Sequence, residues 1–161
     1  MYVIDSNVLI EAAKRYYAFD IAPAFWESLE RLSQAGQISS IDRVKQELDR
    51  GNDALKDWAD DQFASAFMTT DQDDVIESFR RIMNWVNTSP QYTPAAKANF
   101  ANIADGWLVA YALAKNAIVV TDEVYRAEKR SSIPIPVICQ AFELQYVNTF
   151  AMLRALGIRL A

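Results

Sequence analysis

Asp105 is the only charged residue in the stretch 98–114, which is otherwise mostly apolar and typical of a buried helix. An ionised carboxylate is costly in such a place unless a cation or several hydrogen-bond donors compensate it. Asp5 ends the first apolar run of the chain, and Asp122 and Glu123 follow another. Carboxylates at the ends of two buried strands, together with one on a buried helix, predict a cation site.

Each acid also has a structural alternative. Asp5 could cap the helix that follows it. Glu47 lies four residues after Arg43 and three before Arg50, a spacing typical of weak ion pairs on a solvated helix face. Asp105 could complement the helix dipole from a first turn. The coincidence of the acids favours a shared site, because three of them come from segments expected to meet at one sheet edge.

The chemistry that suits such a cluster is phosphoryl transfer with hard cations. Mg²⁺ and Mn²⁺ prefer oxygen ligands, and substrate phosphate can complete their coordination shell. Such ions lower the pKa of bound water and stabilise charge on the phosphorus and the leaving oxygen. The chain has no histidine, which excludes histidine acid–base catalysis, Ser-His-Asp triads and histidine-ligated zinc. Without a cation, neighbouring acids would raise one another's pKa values.

The composition indicates one soluble, helix-rich domain. With 161 residues, of which 52% are apolar, the chain can bury a proper core. Its net charge of −5 argues against a protein that coats nucleic acid by charge alone, although bound cations would neutralise a metal site locally. The single cysteine, with no signal-peptide pattern and no membrane-spanning run, predicts a cytoplasmic protein.

Apolar periodicity predicts strands that alternate with helices, and hence a three-layer α/β/α fold with a short parallel sheet of four or five strands. Ligands bind such sheets outside the carboxyl ends of the strands, where strand order reverses. The predicted strands are 2–4, 38–41, 118–121 and 134–138. The predicted helices are 7–16, one from Pro23 up to Gly36, 42–50, 54–62, 71–86, one around Asp105, and 150–156.

Four segments resemble the motifs of the PIN domain, in the order of that family. They are YVIDSNVLI at 2–10, VKQEL at 44–48, ADGWLVA at 104–110 and IVVTDE at 118–123. The resemblance covers most of the chain and implies a single PIN-like domain over residues 1–161. It also implies that the helices at about 53–92 elaborate the usual PIN plan, as in a bacterial family of unknown function allied to the VapC-type toxins.

The resemblance implies a ribonuclease that uses Mg²⁺ or Mn²⁺ and activates water through the metal. Asp5, Glu47 and Asp105 match the positions of three acidic ligands. For the fourth, the family spacing after the strand selects Glu123, with Asp122 as the neighbouring candidate. A glutamate at that position departs from the commoner aspartate.

Further residues are expected to support the acids or to contact partners. The hydroxyls of Ser6 and Thr121 match positions that orient ligands or the attacking water. The resemblance implies an RNA substrate and an antitoxin partner, and a second copy of the chain is a further candidate partner. The acid-rich stretch 49–77 is expected to be a solvated rim or to receive a basic partner. Five basic residues near the first and last motifs could contact an RNA backbone, namely Lys14, Arg15, Arg126, Lys129 and Arg130.

Three alternatives to a PIN-type ribonuclease stay open from the sequence. A phosphatase of the haloacid-dehalogenase kind also places a nucleophilic aspartate after its first strand, but it has a second acid two residues later, where this chain has Asn7. A non-catalytic PIN-like module that binds RNA or a partner is the second alternative. Cleavage of DNA instead of RNA is the third.

Overall fold

The computed structural model describes residues 1–160 and contains a five-stranded, fully parallel sheet. Parallel strands need long crossovers, and helices supply them here, so the predicted α/β architecture is confirmed. The strand order is β3-β2-β1-β4-β5. The strands are β1 (Tyr2–Ile4), β2 (Ile38–Ile41), β3 (Phe67–Met68), β4 (Ile118–Val120) and β5 (Tyr146–Val147).

Strand β1 lies at the centre of the sheet, and the chain leaves it in two directions. It passes first to β2 and β3 on one side, and later to β4 and β5 on the other. The register pairs Ile4 of β1 with Val120 of β4, and the backbone N–H of Asp5 extends this ladder by donating to Val120 O at 3.0 Å. The carboxyl ends of β1 and β4 therefore form the point where strand order reverses.

Nine helices connect and cover these strands within residues 1–160. The helices are α1 (Ser6–Glu11), α2 (Pro23–Gln34), α3 (Asp42–Asp49), α4 (Ala54–Gln62), α5 (Asp73–Thr88), α6 (Pro94–Asn102), α7 (Ala104–Lys115), α8 (Ile135–Ala141) and α9 (Thr149–Ala155). Helix α1 continues into a π-helical segment at Ala12–Tyr16. Helix α1 packs against α3, whereas α7 packs against α5, α6 and α8, and α3 and α7 also touch each other.

Helix α7 is the buried helix predicted around Asp105. It packs on β1, β2 and β4 and against α5. Its first turn lies close to its neighbours, since a Cβ added to Gly106 would lie 3.0 Å from Phe100 Cε1 and 3.1 Å from Phe79 Cε2. Glycine thus lets the start of α7 approach α5 and α6, and this approach fixes the position of Asp105.

The predicted strand at 134–138 is wrong. These residues begin helix α8, and the fifth strand is instead β5 at Tyr146–Val147. Pro134 precedes the helix and Pro136 lies in its first turn. A proline in a first helical turn sacrifices no helical hydrogen bond, whereas inside a sheet it would remove one from the ladder. Strand β3 and helix α6 were not predicted.

Within residues 1–160, no helix combines the length and the apolar character that a membrane span requires.

Candidate metal centre

Asp5 is the most deeply buried of the predicted ligands, with only 1% of its surface exposed. It occupies the N-cap position of α1, where the Asn7 N–H lowers its pKa but makes no hydrogen bond of normal geometry to its side chain, so capping accounts for this carboxylate only weakly. Its Oδ2 accepts a hydrogen bond of 3.3 Å from Thr121 Oγ1, while its Oδ1 has no partner within residues 1–160. A buried, unpartnered carboxylate oxygen is costly unless a further ligand binds it.

Glu47 reaches the same region from α3. Ser6 Oγ donates to Glu47 Oε1 at 3.3 Å, which joins the first turn of α1 to α3. Within residues 1–160 Glu47 forms no direct salt bridge with Arg43 or Arg50, although the charge of Arg50 lowers the pKa of Glu47. Arg43 instead places its guanidinium 4.0 Å from the ring centroid of Trp107 on α7.

The two acids that follow β4 point in different directions. Glu123 Oε2 accepts a hydrogen bond of 2.7 Å from the backbone N–H of Ile135, and the Glu123 N–H donates one of 3.2 Å to Thr121 Oγ1. Asp122 instead accepts from the N–H and the hydroxyl of Thr149, at 2.9 to 3.1 Å. The structure therefore places Asp122 at the start of α9, outside the acidic cluster, and leaves Glu123 in it.

Burial and mutual repulsion raise the pKa values of these acids. Burial raises the pKa of Asp5 from 3.8 to about 7, and the charges of Glu123 and Glu47 raise it further. The pKa of Asp105, half-buried in the first turn of α7, rises from 3.8 to about 8 through burial and then through the charges of Asp5, Glu123 and Glu47. Burial also raises the pKa values of Glu47 and Glu123. Asp5 and Asp105 therefore each lie within electrostatic reach of the other three carboxylates.

The donor set fits a hard divalent cation. It consists of oxygen atoms alone, it includes the unpartnered Oδ1 of Asp5, and a positive charge would offset the repulsion that raises these pKa values. Within residues 1–160, no three acidic side chains are drawn together at the spacing of a formed metal site. The charges of Glu47 and Glu123 nevertheless act on both Asp5 and Asp105, which relates all four acids to one region.

A cavity of about 370 Å³ adjoins the acids, and Asp105 and Glu123 form part of its wall. Arg126 and Lys129 also line it, and the charge of Lys129 lowers the pKa of Glu123. Lys14 lies on the other side of the cluster, where it lines a small cavity of about 80 Å³ together with Glu47.

The remaining basic candidates are not brought to the cavity. Arg15 pairs with Glu11 at 3.0 Å on the exposed surface of the π-helical segment. Arg130 is exposed, and its backbone oxygen accepts from Thr93 N at 3.1 Å. Two further polar residues that line the cavity, Asn99 and Ser132, were not among the predicted site residues. Neither carries a signal in the sequence, because Asn99 is one of several polar residues on its helix and Ser132 belongs to a polar loop.

The acid-rich stretch at 49–77 forms internal ion pairs on the surface. Lys45 pairs with Asp49 and, at 2.6 Å, with Asp60, which also pairs with Lys56. Lys115 bonds to Asp74 at 2.9 Å. Part of this negative charge is thus neutralised by the chain's own lysines.

A protein-family model described as Domain of unknown function (DUF4411) matches residues 2–160. The chain belongs to this family. No curated protein matches the sequence.

Two crystal structures with similar folds extend the comparison. A chain of VapBC2 from Rickettsia felis, crystallised with a DNA fragment from its promoter, is 16% identical with a TM-score of 0.55, over 91% of this chain and 97% of that one.

A chain of FitAcB from Neisseria gonorrhoeae is 17% identical with a TM-score of 0.59, over 93% of this chain and 99% of that one. At these identities the likeness shows the fold, and the fold of this DUF4411 protein is PIN-like. The resemblance read from the four sequence motifs is confirmed at that level. The haloacid-dehalogenase alternative gains no support, since position 7 holds an exposed asparagine.

Proposed function

We propose that this DUF4411 protein is a divalent-metal-dependent endoribonuclease, and that Asp5, Glu47, Asp105 and Glu123 hold the metal. The observation that carries the proposal is the buried Asp5 carboxylate at the β1–β4 switch point, with an unpartnered oxygen and three further acids around it. A structural role does not explain why Asp5 and Asp105 are buried where neighbouring acids repel their charges, whereas a cation does.

The residues around the acids fit distinct supporting roles. The hydroxyl of Thr121 holds Asp5, and that of Ser6 holds Glu47, so both would orient ligands. A bound Mg²⁺ or Mn²⁺ would supply an activated water and offset charge on the scissile phosphate. Arg126 and Lys129 would neutralise phosphates of the RNA backbone next to that point.

A partner protein of the antitoxin kind belongs to the same proposal. The similar chains come from VapBC2 and FitAcB, and VapBC2 was crystallised with DNA from its own promoter. We extend this arrangement to the present protein as a toxin whose nuclease is held inactive by a partner. Expression of the wild-type chain alone should therefore arrest bacterial growth, and Asp5→Asn should relieve the arrest.

The direct experiment is cleavage of a mixed RNA pool with Mg²⁺ or Mn²⁺, compared with the same reaction in EDTA. Asp5→Asn should abolish cleavage while preserving the fold, because asparagine keeps the shape of the side chain and removes its charge. Asp122→Asn is the matched control, since Asp122 contacts Thr149 and not the cluster. Calorimetric titration with Mn²⁺ adds a readout that does not depend on activity.

The outcomes separate the proposal from its alternatives. Metal-dependent cutting by the wild type and by Asp122→Asn alone supports the nuclease. A fully active Asp5→Asn variant would overturn the metal assignment. Absence of cutting together with absence of Mn²⁺ binding would favour the non-catalytic binding module. Cutting of DNA but not RNA would change the substrate and leave the metal centre in place.

A further inference from the structure

The cavity next to Asp105 and Glu123 combines apolar and hydrogen-bonding surfaces. Phe100, Ile133 and Pro134 are buried and supply the apolar part of its wall. Asn99 and Ser132 add an amide and a hydroxyl. Its volume of about 370 Å³ lies near the lower end of the range of roughly 300–1,000 Å³ for small-molecule sites, which suits one planar heterocycle with part of its sugar.

We propose that this cavity receives one unpaired RNA base next to the scissile phosphate. This inference rests on the proposed nuclease function. A nucleobase has apolar faces and a hydrogen-bonding edge, and the cavity offers a matching surface for each. Arg126 and Lys129 line the same cavity and would contact the flanking phosphates.

The position of the cavity relates the base to the point of cleavage. Two of the four acids belong to its wall, so a base bound there brings its own phosphodiester to the cluster. A base inside a duplex is stacked and paired and cannot enter a recess of this kind. The cavity therefore restricts the substrate to single strands and gives cleavage a base preference at one position. Asn99 and Ser132 are the residues placed to set that preference.

An abasic scan of one RNA tests the inference. The probe is a short single-stranded RNA with one mapped cut site, made as a series in which each member lacks the base at one position. Binding is measured by fluorescence anisotropy to the Asp5→Asn protein, which should not cut. One position adjacent to the cut site should lose affinity on the order of tenfold, as expected for loss of a single stacked base, while the other positions change little. Annealing the intact RNA to its complement should protect it from the wild type.

A variant that fills the cavity gives the second arm. Asn99→Phe places a ring in the recess from the exposed side of α6, and Asn84→Phe makes the same change on the exposed surface of α5, away from the recess. In the Asp5→Asn background, Asn99→Phe should weaken binding of intact RNA about tenfold and remove the effect of the abasic position. Asn84→Phe should alter neither. In otherwise wild-type protein, both should keep the Mn²⁺ affinity and the melting temperature.

The possible results separate a failure of the base-binding cavity from a failure of the proposed nuclease function. Equal affinity for every abasic RNA, or an abasic effect that survives Asn99→Phe, would overturn the base-binding cavity and leave the nuclease intact. Efficient cutting of the duplex would overturn it as well. If the wild type cuts no RNA with either metal, the proposed function itself fails, and the base site fails with it.

Discussion

Without metal, the protein should lose stability as the pH rises from about 5 to 8. Burial and neighbouring acids raise the pKa of Asp5 to about 7 and that of Asp105 to about 8. In the unfolded chain both groups ionise near their usual value of about 4. Over this interval the folded state keeps protons that the unfolded state has released. Raising the pH therefore favours unfolding, and the stabilisation is complete only below the unfolded pKa.

The magnitude follows from the displacement of the pKa. For Asp5 alone, a rise from 3.8 to about 7 corresponds to about 4 kcal/mol of folding free energy across the whole titration, at 1.36 kcal/mol for each pH unit, of which about 3 kcal/mol falls between pH 5 and 8. For a chain of this size, 1 kcal/mol moves the melting temperature by roughly 2–4 °C, so the decline should be on the order of 10 °C. Asp105 titrates over an overlapping interval and acts in the same direction.

Thermal unfolding in EDTA between pH 5 and 8 measures this slope. Asp5→Asn removes the charge at nearly constant shape and should flatten the slope, whereas the exposed Asp122→Asn should run parallel to the wild type. Added Mn²⁺ should raise the melting temperature most at pH 8, where the ligands are ionised. A metal-free protein that becomes more stable as the pH rises would refute the reasoning, and so would parallel curves for the wild type and Asp5→Asn.

Three further changes test the neighbouring contacts. Glu123→Gln should lower the cleavage rate by about 100-fold or more, as loss of a metal ligand would, while Asp122→Asn leaves it unchanged. Initial rates on one RNA show which variant loses more activity. Asp105→Ala should melt a few degrees above the wild type in EDTA at pH 8, because it removes a buried charge; severe unfolding would indicate a structural aspartate instead. Arg43→Met removes the stack of Arg43 on Trp107 between α3 and α7 and should lower the free energy of unfolding in denaturant by about 1 kcal/mol. It should also weaken Mn²⁺ binding measurably. Unchanged Mn²⁺ affinity would show that the stack does not position the ligands.

The sequence predicted the central part of the fold because its local signals agreed with one another. Strands β1 and β4 are short apolar runs that each end before a polar residue, whereas β2 holds Ser39 and Ser40 between two isoleucines, and all three lie where they were predicted. Asp105 could be identified because a carboxylate inside an apolar helix conflicts with its surroundings, and such conflicts mark functional sites. That its neighbours in space are Asp5, Glu47 and Glu123 depended on the fold, which the motif resemblance supplied.

The errors have physical causes at particular residues. The run at 134–138 is apolar and β-branched, which resembles a strand, but its prolines fit the start of a helix. Strand β5 has two residues, too few to show any period. The start of helix α6 has a sequence pattern that predicts it. Thr93 is its N-cap, whose Oγ1 accepts a hydrogen bond of 3.1 Å from the Ala96 N–H, and Pro94 is its first residue. Asn99 and Ser132 come together at the cavity only through tertiary packing, and no local sequence pattern predicts their position there.

Asp122 and Glu123 make different contacts although they are neighbours in the chain. The Glu123 N–H donates to Thr121 Oγ1 at 3.2 Å, and Thr121 Oγ1 also lies 3.3 Å from Asp5 Oδ2, whereas Asp122 binds the start of α9. Glutamate also has a local reason at position 123. One of its oxygens is held 2.7 Å from the Ile135 N–H at the start of α8, which leaves the other available to a cation. The longer side chain can thus be anchored at one oxygen while the other stays free for the ligand role that we propose for Glu123.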